Sequence, residues 1–177
     1  PLVNAGAIFY SAEGMGVVDA TNRPRAYIQS VSPGYVETLG LRLVEGRTFG
    51  PGDLGTSNNI IVTQAMTQRF WPRESAIGRR IKFGDLDSKN PWLTIVGVVK
   101  DANLRGIPQN PTRDPDIFTP FNAAARSFAV LLRTPPDPSQ LARPAQDVIA
   151  RREPGTAVFQ AQPLDELVAQ QLSASRF

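Results

Sequence analysis

Basic and aromatic side chains are interleaved between residues 69 and 83, a pattern that can bind phosphates and stack on bases. Between residues 69 and 83, only Glu74 carries a negative charge. The same pattern is typical of a solvated strand face whose aromatic residues lie in the core. A small nucleic-acid-binding module therefore stays an alternative, although a net charge of +3 is low for one and we expect no nucleic-acid partner. The residues are Arg69, Phe70, Trp71, Arg73, Arg79, Arg80, Lys82 and Phe83.

A second group, Asp85, Asp87 and Asn90, offers oxygen atoms at a spacing close to that of a calcium loop. Lys89 stands where a third oxygen ligand would be needed, and no glycine or closing glutamate follows at the required spacing. The segment is therefore predicted to be a polar turn between two strands, with no metal bound.

Enzymatic chemistry has little support in the composition. The chain has no histidine and no cysteine, which removes the commonest general base, thiolate nucleophiles and the usual zinc ligands. Asp165 and Glu166 are adjacent, so on a helix their side chains point apart and make a poor acid–base pair. A carboxylate-dependent hydrolase stays an alternative, but we predict no enzyme, no catalytic residue and no cofactor.

We expect the contact surface of the protein to include members of both groups, because tryptophan and arginine are the residues that anchor protein interfaces. Trp71 follows a predicted helix that Pro72 ends, where side chains can project. The alternative is that Trp71 packs on Phe70 as a core pair and that the arginines only keep the surface soluble. The candidate partner-contact residues are Arg69, Trp71, Arg73, Asp85, Asp87 and Asn90.

The elements that position these residues form a compact α+β pattern. A β-branched run at Ile60–Val62 precedes a short helix with Ala65, Met66 and Phe70 on one face, and two strands follow, at 79–83 and 92–99. Outside this stretch we predict strands at 8–10, 25–31, 127–133 and 158–161, and helices that start near Ser32, Asp137 and Pro163. Pro144 conflicts with the second of these helices and should kink it or delay its start.

The length of the chain and the positions of its prolines and glycines suggest the domain organisation. The 177 residues suit one domain or two small ones, and 16 prolines with 14 glycines favour short elements and long connections. Two Gly/Pro-rich linkers bracket the central β unit, so we predict a β-rich subdomain over 54–114 inserted into an α+β part formed by 1–53 and 115–177. No run approaches the ~18–20 apolar residues of a membrane span. A start at Pro1 without a signal pattern favours a fragment of a longer protein.

Four segments in fixed order resemble the extracytoplasmic core of MacB/FtsX-type ABC transporter permeases. They are VSPGYVETLGLRLVEGRTF (31–49), IIVTQAMTQRFWP (60–72), SAIGRRIKFG (75–84) and LTIVGVVKDANLRG (93–106). The final helix, ending in Ser175-Arg176-Phe177, is similar to the family's approach to its second membrane helix. The resemblance covers about 31–177, and the chain departs from it at Pro144 and in its first 24 residues.

The resemblance implies a fold and a role. In this family the domain lies between the first two transmembrane helices and is a porter-like two-part α/β sandwich with an inserted smaller β-rich subdomain. It implies a periplasmic location on an inner-membrane protein, a cytoplasmic ATPase subunit as partner, and no catalytic residue in the domain. A permease dimer and a periplasmic partner protein are further partners it suggests. The alternative outside this family is a free-standing extracellular binding domain.

Overall fold

The computed structural model describes residues 7–16, 18–55, 57–102, 114–122, 128–134, 137–158, 161–166 and 169. By its internal contacts the chain divides into two compact units, Pro1–Leu131 and Leu132–Phe177. The first unit carries all seven strands, and its fold is mixed α/β.

The seven strands form one sheet that closes into a ring. They are β1 (Ala7–Ala12), β2 (Arg25–Val31), β3 (Leu43–Gly46), β4 (Asn59–Thr63), β5 (Arg80–Phe83), β6 (Leu93–Val99) and β7 (Asp116–Pro120). Their order is β3-β6-β4-β7-β2-β1-β5, and β5 also pairs with β6. Six strands therefore make a closed circuit, and β3 extends the sheet by pairing with the remaining part of one edge of β6.

Pairing in the ring is mixed. The β2–β7 and β4–β6 pairs are parallel, whereas β1–β2, β1–β5, β4–β7, β5–β6 and β3–β6 are antiparallel. Parallel neighbours need long crossover connections, and the chain supplies one between β4 and β6 that contains a helix and β5.

The central strands are buried on both faces, which explains why their sequences are continuously apolar. In β4, Ile60 and Val62 join one buried cluster with Tyr10, Ile81 and Ile95, while Ile61 joins a second cluster on the other face. A strand covered on both faces reads as an unbroken hydrophobic run rather than an alternating one. The predicted strands at 60–62 and 92–99 are confirmed by β4 and β6, and those at 8–10, 25–31 and 79–83 by β1, β2 and β5.

The helix after β2 begins later than its sequence predicts. Ser32 was expected as the N-cap with Pro33 at the first helical position, but α1 spans Tyr35–Thr38. Pro33 and Gly34 form a tight turn instead, with Gly34 at φ 85° and Tyr35 N–H donating to the Ser32 carbonyl at 3.3 Å. Proline followed by a residue with positive φ is the pattern of a type II turn, which glycine accommodates without strain.

A buried polar chain ties α1 to the sheet. The Tyr35 hydroxyl donates to Gln29 Oε1 at 3.0 Å, and Gln29 Nε2 donates to Asp116 Oδ1 at 3.3 Å. Burial, and secondarily the charge of Asp116, raises the pKa of Tyr35 to about 12. The packing of Val36 against Val31, Ile61 and Phe118 completes this attachment.

The second helix, α2, spans Gln64–Phe70 and follows β4 directly. Met66 is fully buried and belongs to the larger core cluster, and the helix ends before Pro72, as predicted. The short helix therefore delivers the Trp71–Arg73 segment to one end of the sheet.

The sheet runs across the boundaries predicted for an inserted subdomain. Strands β4, β5 and β6 come from 54–114, and they pair with β1, β3 and β7 from the flanking segments. They also share one buried cluster with Tyr10, Ala26 and Ile117. The sheet shows no break at 54 or 114, and the domain division stays a prediction.

The second unit contains a 3₁₀ turn at Pro138–Leu141, α3 at Ala142–Arg152 and helical residues 164–166. The late start of α3 puts Pro144 in its first turn, where no backbone donor is needed, so the conflict is resolved by a delayed start. None of the α3 side chains is buried.

Two predicted strands have no counterpart in the described residues. Residues 128–133 lie outside any strand, and Phe128, Val130 and Leu132 are exposed, because an apolar alternation becomes a strand only where a partner strand pairs with it. Within 158–161, the described residues 158 and 161 are not in a strand. The end of the predicted last helix, 171–177, lies outside the described residues. No described helix has the length and apolar character needed to cross a membrane.

Candidate contact surface

The six candidate residues lie at two places on the first unit. Arg69, Trp71 and Arg73 stand at the C-terminal end of α2, and Asp85, Asp87 and Asn90 belong to the loop of residues 84–90 between β5 and β6. Five of the six are exposed. Trp71 is the exception.

Trp71 is a core residue. It is 8% exposed and belongs to the same buried cluster as Met66 and Ile81. Its ring centroid lies 5.8 Å from that of Phe70, and its backbone N–H ends α2 by donating to the Thr67 carbonyl. Of the two interpretations left open by the sequence, the structure therefore shows the core pair, because the chain turns inward after Phe70 rather than projecting the indole into solvent.

The arginines at this end differ in their partners. The Arg69 guanidinium lies over the Phe70 ring, 5.7 Å from its centroid, and Arg73 is exposed. Within the described part of the chain, neither has a carboxylate within ion-pair distance. These two side chains are thus positive groups available to an acidic partner.

Two other arginines of the basic-aromatic group are paired with carboxylates within the protein. Arg79 pairs with Glu74, and Arg80 pairs with Glu13 at 2.5 Å. The Arg80 guanidinium lowers the pKa of the Glu13 carboxyl mainly through this hydrogen bond. The carboxylates occupy the guanidinium groups that a nucleic-acid backbone would need.

The loop of residues 84–90 is held in one conformation by side-chain hydrogen bonds. The Ser11 hydroxyl donates to the Gly84 carbonyl at 2.7 Å, and the Ser88 hydroxyl and the Asn90 amide both donate to the Phe83 carbonyl. Asp85 pairs with Arg23 at 3.2 Å. Asn90 therefore serves the loop itself, whereas Asp87 is left exposed at the tip.

Lys82 is the residue at this surface that sequence reasoning missed. It alternates with the buried Ile81 on β5 and so should face solvent, yet it is only 6% exposed. Its ammonium group donates to the carbonyls of Ser88 at 2.6 Å and Leu86 at 3.2 Å and lies 5.0 Å from the centroid of the Trp92 ring. Local sequence gives no signal for this burial, because it depends on how the following loop folds back over the strand.

Other sites offer little chemistry. A shallow groove of about 400 Å³ lies where β3 and the start of β5 meet along β6, between Gly46, Ile77 and Ile95, and its lining is almost wholly apolar. Across the described ranges, no group of three or more acidic residues could hold a metal ion. Asp165 and Glu166 are exposed, and the Asp165 side chain accepts from the Glu166 N–H, so neither is poised against the other.

Comparison with known proteins defines the class to which this fold belongs. Residues 1–162 match the family described as the MacB-like periplasmic core domain. The chain belongs to this family of extracytoplasmic domains of ABC transporter permeases.

Two curated relatives show how much of a permease the chain represents. It is 25% identical over 104 residues to the uncharacterized ABC transporter permease YvrN of Bacillus subtilis strain 168, covering 58% of this chain and 24% of YvrN. It is 26% identical over 113 residues to the macrolide export ATP-binding/permease protein MacB of Aggregatibacter actinomycetemcomitans, covering 63% of this chain and 16% of MacB. The aligned region spans less than a quarter of either relative.

Solved structures support the same fold. The periplasmic region of MacB from Actinobacillus actinomycetemcomitans matches with a TM-score of 0.60 and 10% identity, over 96% of this chain and 72% of that one. The extracellular domain of the noncanonic ABC-type transporter YknZ from Gram-positive bacteria matches with a TM-score of 0.53 and 16% identity, over 89% of this chain and 80% of that one. At these identities the likeness concerns the fold alone.

Proposed function

We propose that the chain couples movement of the transmembrane helices of an ABC permease to substrate export or to a partner protein, and performs no chemistry itself. The family match over residues 1–162 is the observation that carries this proposal. A cytoplasmic ATPase subunit supplies the energy, and the domain transmits the motion outside the membrane. The name of the MacB relative links that protein to macrolide export.

The closed sheet supports a mechanical role. Every strand of the six-membered ring has two hydrogen-bonded neighbours, and its interior is filled by the larger core cluster. Such a unit moves as one body, because closely packed interiors transmit displacement rather than absorb it.

The contact surface we propose consists of Arg69 and Arg73 at the end of α2 and of the loop of residues 84–90, where Asp87 is exposed. Each permease of a dimer would present one such surface to a periplasmic partner protein or to the other copy. We further propose that 54–114 is a β-rich addition to a porter-like part, 1–53 and 115–177, since it supplies both halves of this surface.

Site-specific labelling tests the coupling. Because the chain has no cysteine, a single cysteine at Arg73 or Asp87 labels one defined position once other cysteines of the full permease are removed. Spin labels on two copies in the membrane report the distance between the surfaces. We expect that distance to change between the nucleotide-free and ATP-trapped transporter. Identical distance distributions in both states, with ATP hydrolysis intact, would refute coupling through this domain.

A charge-reversal series tests the surface itself. Arg69→Glu, Arg73→Glu and Asp87→Lys should leave expression and ATP hydrolysis unchanged and reduce transport, because rim charges mainly steer association. Arg143→Glu, an exposed position on α3, is the matched control. Transport equal to wild type in all three variants would remove the surface from the proposal and leave the coupling role standing.

A further inference from the structure

Lys82 lies on the outer side of β5, directly opposite Ser11 of β1. Both side chains are polar and both are buried, at 6% and 4% exposure, because the loop of residues 84–90 folds back over this part of the outer surface of the ring. A buried ammonium group is unfavourable unless polar groups replace its water shell.

Backbone carbonyls and one aromatic face replace that shell. The Lys82 ammonium donates to Ser88 O and Leu86 O, and the Trp92 ring supplies a negative face beneath it. No carboxylate of the described residues forms an ion pair with Lys82. The ammonium is thus held by two backbone carbonyls of the loop and one aromatic face.

The other side-chain hydrogen bonds of the loop act elsewhere. Ser11 binds the Gly84 carbonyl at the start of the loop, and the side chains of Ser88 and Asn90 reach back to Phe83. The carbonyls of Leu86 and Ser88, which flank the exposed Asp87, are bound by Lys82.

We infer that Lys82 is the positioning residue of the loop of residues 84–90, a built-in cation that holds Asp87 and Lys89 outward as a preformed protrusion. A preformed loop loses less conformational entropy on binding than a mobile one. The positioning role stands on the contacts above, and only the use of the protrusion as a contact rests on the proposed function.

Residue-resolved amide hydrogen exchange on the 177-residue chain tests the positioning role. Lys82→Met keeps the length of the side chain and removes its charge. The Ser88 amide donates to the Asp85 carbonyl inside the loop that Lys82 holds. We expect its exchange to rise about tenfold or more, as loss of the loop's hydrogen bonds to a charged group predicts. The amides of Gly78 and Ile95, which form hydrogen bonds between the turn before β5 and strand β6, should keep their wild-type rates. Lys100→Met, at an exposed lysine outside the loop, should change neither.

Two further readouts separate positioning from general stability. Trypsin should cut after Lys89 faster in Lys82→Met than in the Lys100→Met control. Lys82→Arg should restore protection of Ser88, since a guanidinium also donates to carbonyls and stacks on an indole. Unchanged Ser88 exchange in Lys82→Met, an equal rise at Gly78 and Ile95, or an arginine variant as unprotected as the methionine one would each overturn the inference. All of these results are obtained without transport and are independent of the coupling experiment.

Discussion

Arg47 and Asp53 form a two-point ion pair that fastens the end of β3 to the segment entering β4. Arg47 Nη1 lies 2.6 Å from Asp53 Oδ2, and Nη2 lies 3.0 Å from Oδ1. The carboxylate also accepts from Asn59 Nδ2 at 2.7 Å and from the Gly50 N–H at 2.8 Å. Asp53 is 4% exposed, whereas the Arg47 side chain remains half exposed, so the carboxylate is the member of the pair that has lost its water and depends on these hydrogen bonds.

Acid should therefore loosen this connection. Hydrogen bonding to Arg47 holds the pKa of Asp53 well below its ordinary value. Because the folded-state pKa is the lower one, the contribution to stability is present above the unfolded value of about 3.9 and is lost as pH falls below it. Urea unfolding from pH 7 to pH 3 should show this decline in the wild type and a smaller decline in Asp53→Asn.

At neutral pH, Asp53→Asn should cost about 2–3 kcal/mol, since it weakens hydrogen bonds to a charged group. Glu74→Gln, which removes the exposed pair with Arg79, is the control and should cost less than about 1 kcal/mol. Equal losses in the two variants would contradict the central place given to Asp53.

Gly97 should not tolerate a side chain. It pairs with Gly46, and a Cβ at residue 97 would lie 2.2 Å from the Arg47 carbonyl oxygen, a backbone atom that cannot rotate away. Gly97→Ala should displace β3 and cost about 1–3 kcal/mol. Gly52→Ala, where no atom lies within 4 Å of the added Cβ, should leave the melting temperature nearly unchanged. Calorimetry on both variants decides the matter, and a neutral Gly97→Ala would mean that β3 does not approach β6 this closely.

Trp71→Ala should destabilise the isolated chain by about 3–5 kcal/mol, because the indole fills the core beside Phe70. Arg73→Ala, at an exposed position two residues later, should change stability by less than about 0.5 kcal/mol. Chemical denaturation measures both. A stable Trp71→Ala domain with impaired partner binding would return the indole to the contact surface.

The Tyr10 hydroxyl gives a prediction of the opposite sign. It is buried without a hydrogen-bond partner among the described residues, and burial is the main reason that its pKa is raised. Tyr10→Phe keeps the edge-to-face contact with the Phe70 ring and removes the unpaired group, so it should be neutral or stabilising by about 1 kcal/mol. A loss of stability in thermal melts would show that the hydroxyl has a partner, such as a bound water.

The sequence predicted the elements in the middle of the chain well and their arrangement poorly. The β-branched composition of Ile60–Val62 and Leu93–Val99 was enough to predict buried strands, because an unbroken apolar run is typical of a strand that is buried on both faces. The local sequence pattern does not indicate which strands pair, so the closure of the ring by β5 and β6 could not be predicted from it. The apolar alternation of Phe128, Val130 and Leu132 shows the converse, a strand pattern without an observed partner.

The candidate surface follows the same division. Exposure of Arg69, Arg73 and Asp87 could be predicted from charge, since isolated charges stay hydrated. The burial of Trp71 and Lys82 could not, because each depends on where the next few residues lead the chain. The tryptophan is turned inward after α2, and the lysine is covered by a loop that its own ammonium helps to fold.

Ring closure also determines how the domain carries load. A strand at an open edge can be peeled from a single neighbour, whereas β2 can leave the ring only by shearing its ladders with β1 and β7 together. A pull on β2 is therefore divided between two routes around the ring, through β1 and β5 on one side and through β7 and β4 on the other, which rejoin at β6. Tension applied at one rim reaches the opposite wall in parallel along both routes, and neither ladder bears the whole force.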